Sequence, residues 1–157
     1  MAEQIEIHAR EPSILRPMKR MDLLTTLMLA YGAASLLHFI HNAQFARDYP
    51  NFPDTITALQ VYGVWLIVAA TGLAGYLLMR FGLKVPGLVV TAVYAGFGFN
   101  GLLHYKLAPM SDHSLAMNGT ILTEVALAAL LVGAVIASFV RHMNTTGVVG
   151  PATMRRP

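Results

Sequence analysis

Four of the six histidines stand beside long apolar segments, in an order that would bring them to one end of a helical membrane protein. His38 and His41 end the first apolar segment, His104 ends the third and His113 precedes the fourth. A carboxylate, Glu124, lies inside the fourth segment. Because a bilayer penalises an ionisable group that has no partner, this one-sided set predicts a functional site.

Helical spacing allows these side chains to share faces. His38 and His41 are three residues apart, and Asn100 and His104 are four apart, so each pair lies on one face of a regular helix. The fourth segment carries a stripe with spacings of four, three and four: His113, Met117, Thr120 and Glu124. The second segment adds Gln60 and Tyr62 near the same level, so all four segments can direct polar groups toward one outward-opening pocket.

A transition-metal site is the leading interpretation of this pocket, because imidazole and carboxylate ligands suit zinc and copper. We expect His38, His41 and His104 to be ligands, with His113 or Glu124 completing the set. Neighbouring polar groups would orient the ligands through hydrogen bonds. The residues predicted for that role are Asn42, Asn100, Gln60 and Tyr62. The corresponding function is metal handling or metal-dependent chemistry.

Three alternatives stay open at this stage. A single b-type haem would take its axial ligands from His104 and either His38 or His41. Proton chemistry on a lipophilic substrate, an isomerisation or hydration without a cofactor, would use Glu124 and His38 as the catalytic acid and base. The third alternative is an accessory subunit that stabilises a larger membrane complex, with a purely structural polar cluster.

Composition excludes several classes of function. Cysteine is absent, which excludes disulfides, iron–sulfur clusters and thiolate zinc sites. Charged residues make up only 12% and hydrophobic residues 55%, with a mean hydropathy of +0.56. Soluble domains carry about 25% charged residues, so an integral membrane protein is predicted. The net charge is +3, and the Lys and Arg residues that produce it flank the apolar segments. This distribution is typical of membrane topology and not of nucleic-acid binding.

Four segments are long enough to cross a hydrocarbon core of about 30 Å. They cover residues 23–45, 57–79, 85–105 and 115–140 approximately. The sequence thus predicts an all-α, four-helix transmembrane bundle at residues 21–143, with short loops that favour an up-down-up-down order. Residues 1–20 form an N-terminal arm and residues 144–157 a tail.

The basic residues predict the orientation. Arg47 and Lys106 fall on one side of a four-span protein, and the other nine Lys and Arg fall on the opposite side. Those nine are Arg10, Arg16, Lys19, Arg20, Arg80, Lys84, Arg141, Arg155 and Arg156. The positive-inside rule then places both termini in the cytoplasm and the histidines at the outer face, with the plasma (inner) membrane as the expected location.

Small residues recur where helices are expected to pack. Ala129, Gly133 and Ala137 are spaced by four residues, and glycines occur in the second and third spans. We expect these positions to pack the bundle internally, with a homo-oligomer or a larger membrane complex as the alternative. Residues 96–101 match the glycine pattern GxGxxG of dinucleotide-binding loops, but they lie deep in an apolar span. They too therefore predict helix packing.

Overall fold

A computed structural model describes residues 22–146, and all regular secondary structure in that range is helical. The helices are α1 (Leu23–Gln44), α2 (Ala58–Arg80), α3 (Lys84–Phe97), α4 (His104–Leu107) and α5 (Leu115–Thr145). A 3₁₀ segment, Gly98–Leu103, joins α3 to α4, so that Lys84–Leu107 forms one span. The arm at residues 1–20, and all but the first three residues of the predicted tail, lie outside the described residues.

Four helical segments of 22, 23, 24 and 31 residues are long and apolar enough to cross a membrane. The predicted all-helical class with four such segments is therefore confirmed. The predicted bounds agree within a few residues, except that α5 continues five residues beyond the expected end. Helices suit this environment because their backbone hydrogen bonds are satisfied within the segment.

Polar side chains fix where the helices begin. The Asp22 carboxylate accepts a hydrogen bond from the Thr25 N–H at 2.8 Å and caps α1. Thr57 and Gln60 form a reciprocal capping box at the start of α2. Ser114 caps α5. Each cap satisfies backbone donors that the first turn of a helix leaves without a partner.

The four spans pack side by side in the order α1, α2, α3, α5, and α5 returns to contact α1. One apolar core includes Met28, Tyr31 and Tyr94, together with buried side chains of α2, α3 and α5. A smaller core near the histidines contains Tyr49, Met117 and Ile121. The buried polar residues lie in and between these two cores.

Glycine allows close packing where the third span changes to 3₁₀ geometry. A Cβ atom added at Gly98 would lie 2.6 Å from the Ala128 Cβ atom and 2.6 Å from the Tyr31 Cε2 atom. Among the other predicted packing glycines, Gly72, Gly75 and Gly101 are also buried. The expectation was wrong for Ala129, Gly133 and Ala137, which lie exposed on α5, and for Gly96, which lies exposed on α3.

We predict that Gly98→Ala destabilises the protein by about 1–3 kcal/mol, because the added methyl group overpacks the contact with Tyr31 and Ala128. Unfolding of the detergent-solubilised protein measures the change. Gly96→Ala is the matched control, because no atom lies within 4 Å of its added Cβ. Equal stability of the two variants would contradict the close approach at Gly98.

Candidate functional site

One face of α1 is polar along the inside of the bundle. Tyr31, Ser35, His38 and Asn42 are spaced by four, three and four residues, and all four are buried. This spacing keeps them on one helical face. The face packs against α5, which contributes Glu124. Two neighbouring spans thus bury polar side chains against each other where lipid would offer no hydrogen-bond partner.

The centre of the site is a chain of contacts between His38, Asn42, His104 and Glu124. The His38 Nε2 atom lies 3.8 Å from the Glu124 Oε2 atom, and each residue is only 2% exposed. The Asn42 Nδ2 group lies 2.9 Å from His38 Nε2 and 3.4 Å from His104 Nε2. The Nε2 atoms of both rings therefore face the Asn42 amide group, and the tautomer of each ring sets the direction of its hydrogen bond.

Five buried polar atoms have no hydrogen-bond partner among residues 22–146. They are Tyr31 Oη, Ser35 Oγ, His38 Nδ1, Asn42 Oδ1 and His113 Nε2. Each such atom costs about 1–3 kcal/mol when it is left unpaired. Two of the five atoms, His38 Nδ1 and Asn42 Oδ1, belong to the four contacting residues. Tyr31 and Ser35 lie on the same face of α1 as these two residues.

An aromatic layer covers the histidines at their end of the bundle. The Tyr49 hydroxyl lies 2.8 Å from His41 Nδ1, and the Tyr49 ring lies 4.7 Å from the His104 ring between centroids. Phe52 stacks nearly parallel to His104, with centroids 5.8 Å apart. His41 is therefore held by Tyr49 and sits outside the chain formed by His38, Asn42 and His104.

The loop between α1 and α2 is tied down over the site. Asn51, at φ +57°, donates from Nδ2 to the Leu107 carbonyl at 2.8 Å and so fastens the loop to the end of α4. Asparagine tolerates this left-handed conformation better than most residues. Tyr49, only 3% exposed, is held in place on the same loop. The loop therefore closes the site toward that end of the bundle.

His113, which lies just before α5, is buried. It is 6% exposed, and its Nδ1 atom lies 3.1 Å from the Pro109 carbonyl. Its ring lies 6.2 Å from the His104 ring and 5.4 Å from the Tyr105 ring. Four of the predicted ligands, His38, His104, His113 and Glu124, are thus buried, while His41 is half-buried beside them.

Three residues expected to support the site do not join it. Asn100 is exposed because it lies in the 3₁₀ segment, where 3.0 residues per turn rotate it away from the face of His104. Gln60 is exposed and its side chain is used in the capping box with Thr57. Tyr62 is half-buried, and its hydroxyl group makes no hydrogen bond within residues 22–146. As a result, α2 contributes only apolar and small residues to the interior of the bundle.

Sequence reasoning missed Tyr31, Ser35 and Tyr49. The first two were detectable, because Tyr31, Ser35, His38 and Asn42 repeat the spacing that marked the polar stripe on α5. Tyr49 stands in a loop with no periodic pattern. Its role depends on how the loop folds back over His104, which no local spacing encodes.

In the present side-chain positions, no three His, Asp or Glu residues between 22 and 146 are grouped closely enough to hold a metal ion. The Asn42 amide lies between the Nε2 atoms of His38 and His104. A cation at this point would require the Asn42 side chain to rotate away. Without a cation, His38 and Glu124 form a buried pair capable of sharing a proton.

No protein-family model, curated protein or solved structure matches this chain. The functional argument therefore depends on the geometry of the site alone.

We predict that Tyr49→Phe lowers the free energy of unfolding by about 0.5–1.5 kcal/mol at neutral pH, because it removes the bond to His41 and keeps the ring contacts. Burial raises the pKa of Tyr49 to about 12 from its usual 10.0. Between these values the unfolded state releases the phenol proton and the folded state retains it, so stability falls as pH rises from about 10 to about 12.

The free energy of unfolding of the detergent-solubilised protein, measured at several pH values, tests this expectation. Tyr49→Phe should lose part of the decline above pH 10, whereas the control variant Tyr62→Phe should retain it. A decline of the same steepness in wild type and Tyr49→Phe would show that the phenol of Tyr49 is not protected by the fold.

Proposed function

We propose that this protein is a small integral membrane protein that binds a transition-metal ion, copper or zinc, between His38, His104 and Glu124. One observation carries the proposal: the Nε2 atoms of two buried imidazoles face one amide group, and a buried carboxylate oxygen lies 3.8 Å from one of them. Such a site suits metal handling or metal-dependent chemistry.

One distance, between His38 and Glu124, is compatible with two ligands of one metal ion. Metal–nitrogen bonds of 2.0–2.1 Å place two ligands of a tetrahedral zinc ion roughly 3.4 Å apart, near the 3.8 Å between His38 Nε2 and Glu124 Oε2. If a cation replaced the Asn42 Nδ2 atom, both imidazoles would need to approach it by roughly 1 Å. The Asn42 Oδ1 atom, buried without a partner, supplies an oxygen ligand once the amide rotates.

Metal identity follows from the donor types. Imidazole nitrogen and carboxylate or amide oxygen favour zinc and copper(II), and the chain has no cysteine to favour a soft copper(I) site. A b-type haem is less favoured, because it needs a planar slot between two axial imidazoles. Here the Asn42 amide lies between His38 and His104, and Tyr49 and Phe52 contact the His104 ring.

His41 and His113 have a supporting part in this proposal. His113 presents a buried Nε2 atom without a partner among the described residues, with its ring 6.2 Å from that of His104. His41 contacts Tyr49 on the covering loop. We assign these two imidazoles to the entry path, where each can hold an arriving ion before it reaches His104.

The orientation belongs to the same proposal. The uneven distribution of Lys and Arg supports an up-down-up-down bundle with both termini in the cytoplasm and the histidines at the outer face of the plasma (inner) membrane. The site would then exchange its ion with the external side. The bilayer is the first partner of such a chain, and a homo-oligomer or larger membrane complex is compatible with it.

We predict that protein purified without a metal-affinity step contains near-stoichiometric copper or zinc by elemental analysis. His38→Ala and His104→Ala should each lower metal affinity at least about tenfold, since loss of even an outer supporting residue costs 10- to 100-fold. His142→Ala is the matched control, because His142 lies near the other end of α5.

Glu124→Gln should weaken binding as well, since it replaces a charged ligand with a neutral one. Protein that stays metal-free after copper and zinc are offered back would overturn the proposal. So would equal binding by wild type, His38→Ala and His104→Ala.

A second candidate, cofactor-free proton chemistry on a lipophilic substrate, is favoured by the separation of 3.8 Å between His38 and Glu124. The pair could move a proton to or from carbon in an isomerisation or hydration. Metal-free protein incubated with membrane lipids in deuterated water should then introduce deuterium into a lipid, as detected by mass spectrometry. Glu124→Gln should abolish the exchange, and exchange that is undiminished in that variant would exclude this candidate.

A further inference from the structure

A cationic pocket lies at the end of the bundle opposite His38, His41, His104 and His113. It has a volume of about 410 Å³ and is enclosed by the start of α1, the end of α2, the start of α3 and the last part of α5. Its charged lining consists of Arg80, Lys84 and Arg141 and one acid, Asp22, whose carboxylate caps α1. Within residues 22–146, none of the three cations lies within 4.0 Å of a carboxylate. The pocket therefore offers positive charge to an anion.

An apolar groove of about 580 Å³ continues from this pocket between α1 and α2. Thr25 and Tyr76 line both the pocket and the groove. Along α1 the groove reaches from Thr25 to Leu36, a length of about 16 Å at 1.5 Å per residue. Since the hydrocarbon core is about 30 Å thick, this length corresponds to one leaflet.

Tyr94 gives the groove a fixed floor. This side chain of α3 inserts between α1 and α2, where its hydroxyl donates to the Met28 carbonyl at 3.3 Å. A Cβ atom added at Gly72 would lie 2.8 Å from the Tyr94 ring, and one added at Gly32 would lie 2.7 Å from its hydroxyl. The two glycines admit the ring, and the ring holds the helices apart along the groove.

We infer that the pocket and the groove together bind one anionic phospholipid. Its phosphate-bearing headgroup lies among Arg80, Lys84 and Arg141, and one acyl chain lies along the groove over Tyr94. A phospholipid supplies both parts at the required spacing, because its headgroup stays at the membrane surface while its chain spans a single leaflet. Basic pockets between helices at a membrane surface are suited to anionic headgroups.

This assignment is independent of the metal proposal. None of the lining residues of the pocket or the groove is a proposed metal ligand. The two proposals can therefore fail separately, and a lipid measurement on metal-free protein tests the second alone.

Native mass spectrometry of the full chain tests the assignment with phosphatidylglycerol and phosphatidylcholine that carry identical acyl chains. We expect phosphatidylglycerol to bind at least tenfold more tightly. Arg141→Gln should reduce its affinity about fivefold, and Arg80→Gln combined with Arg141→Gln should reduce it further, because each cation near the surface contributes about that factor. Binding of phosphatidylcholine should change little.

The groove is tested with Ala33→Phe, which places a ring in its path at an exposed position of α1 and should weaken both lipids. Two variants serve as controls: Arg47→Gln removes a cation at the other end of the bundle, and Ala129→Phe adds a ring to an exposed face outside the groove. Both should bind lipid as wild type does.

Equal affinity for the two lipids would overturn the assignment, as would a phosphatidylglycerol preference that survives Arg80→Gln with Arg141→Gln. Displacement of phosphatidylglycerol by inorganic phosphate, with no effect of Ala33→Phe, would show an anion site without a chain-binding groove and would also overturn it.

Discussion

Polar side chains buried between α1 and α5 impose the main constraint on this bundle. Glu124, His38 and Asn42 lie in a region where hydrocarbon offers no hydrogen bonds, so each must find its partner on a neighbouring helix. This requirement fixes which face of α1 turns toward α5. It also requires a close approach of the third span, which Gly98 permits and which brings the 3₁₀ segment beside the same seam.

The hydrogen-bonding requirements of these buried side chains are only partly met among residues 22–146. The polar atoms left without a partner are where chemistry becomes possible. Asn42 donates to two rings but leaves its own Oδ1 atom without a partner, and His38 leaves its Nδ1 atom in the same state. Each such atom costs stability unless another group pairs with it. Donors and acceptors that are held in place yet incompletely used are also what the exchange of a ligand or a proton requires.

Hydropathy and length predicted the four spans well, because crossing a bilayer depends on properties that add along the chain. Periodicity likewise predicted Glu124 and His38 as neighbours, since α1 and α5 are regular helices. It failed for Asn100, because the 3₁₀ segment changes the angle per residue just before His104. It gave no information on Tyr49, whose position depends on the tertiary folding of a loop.

The two ends of the bundle differ in the burial of their polar side chains. At the histidine end, Tyr49 closes a buried polar site, whereas at the opposite end the cations remain open to an anion. Tyr94 joins the two regions, because it floors the groove and packs at 4.7 Å against Tyr31, on the same polar face as His38.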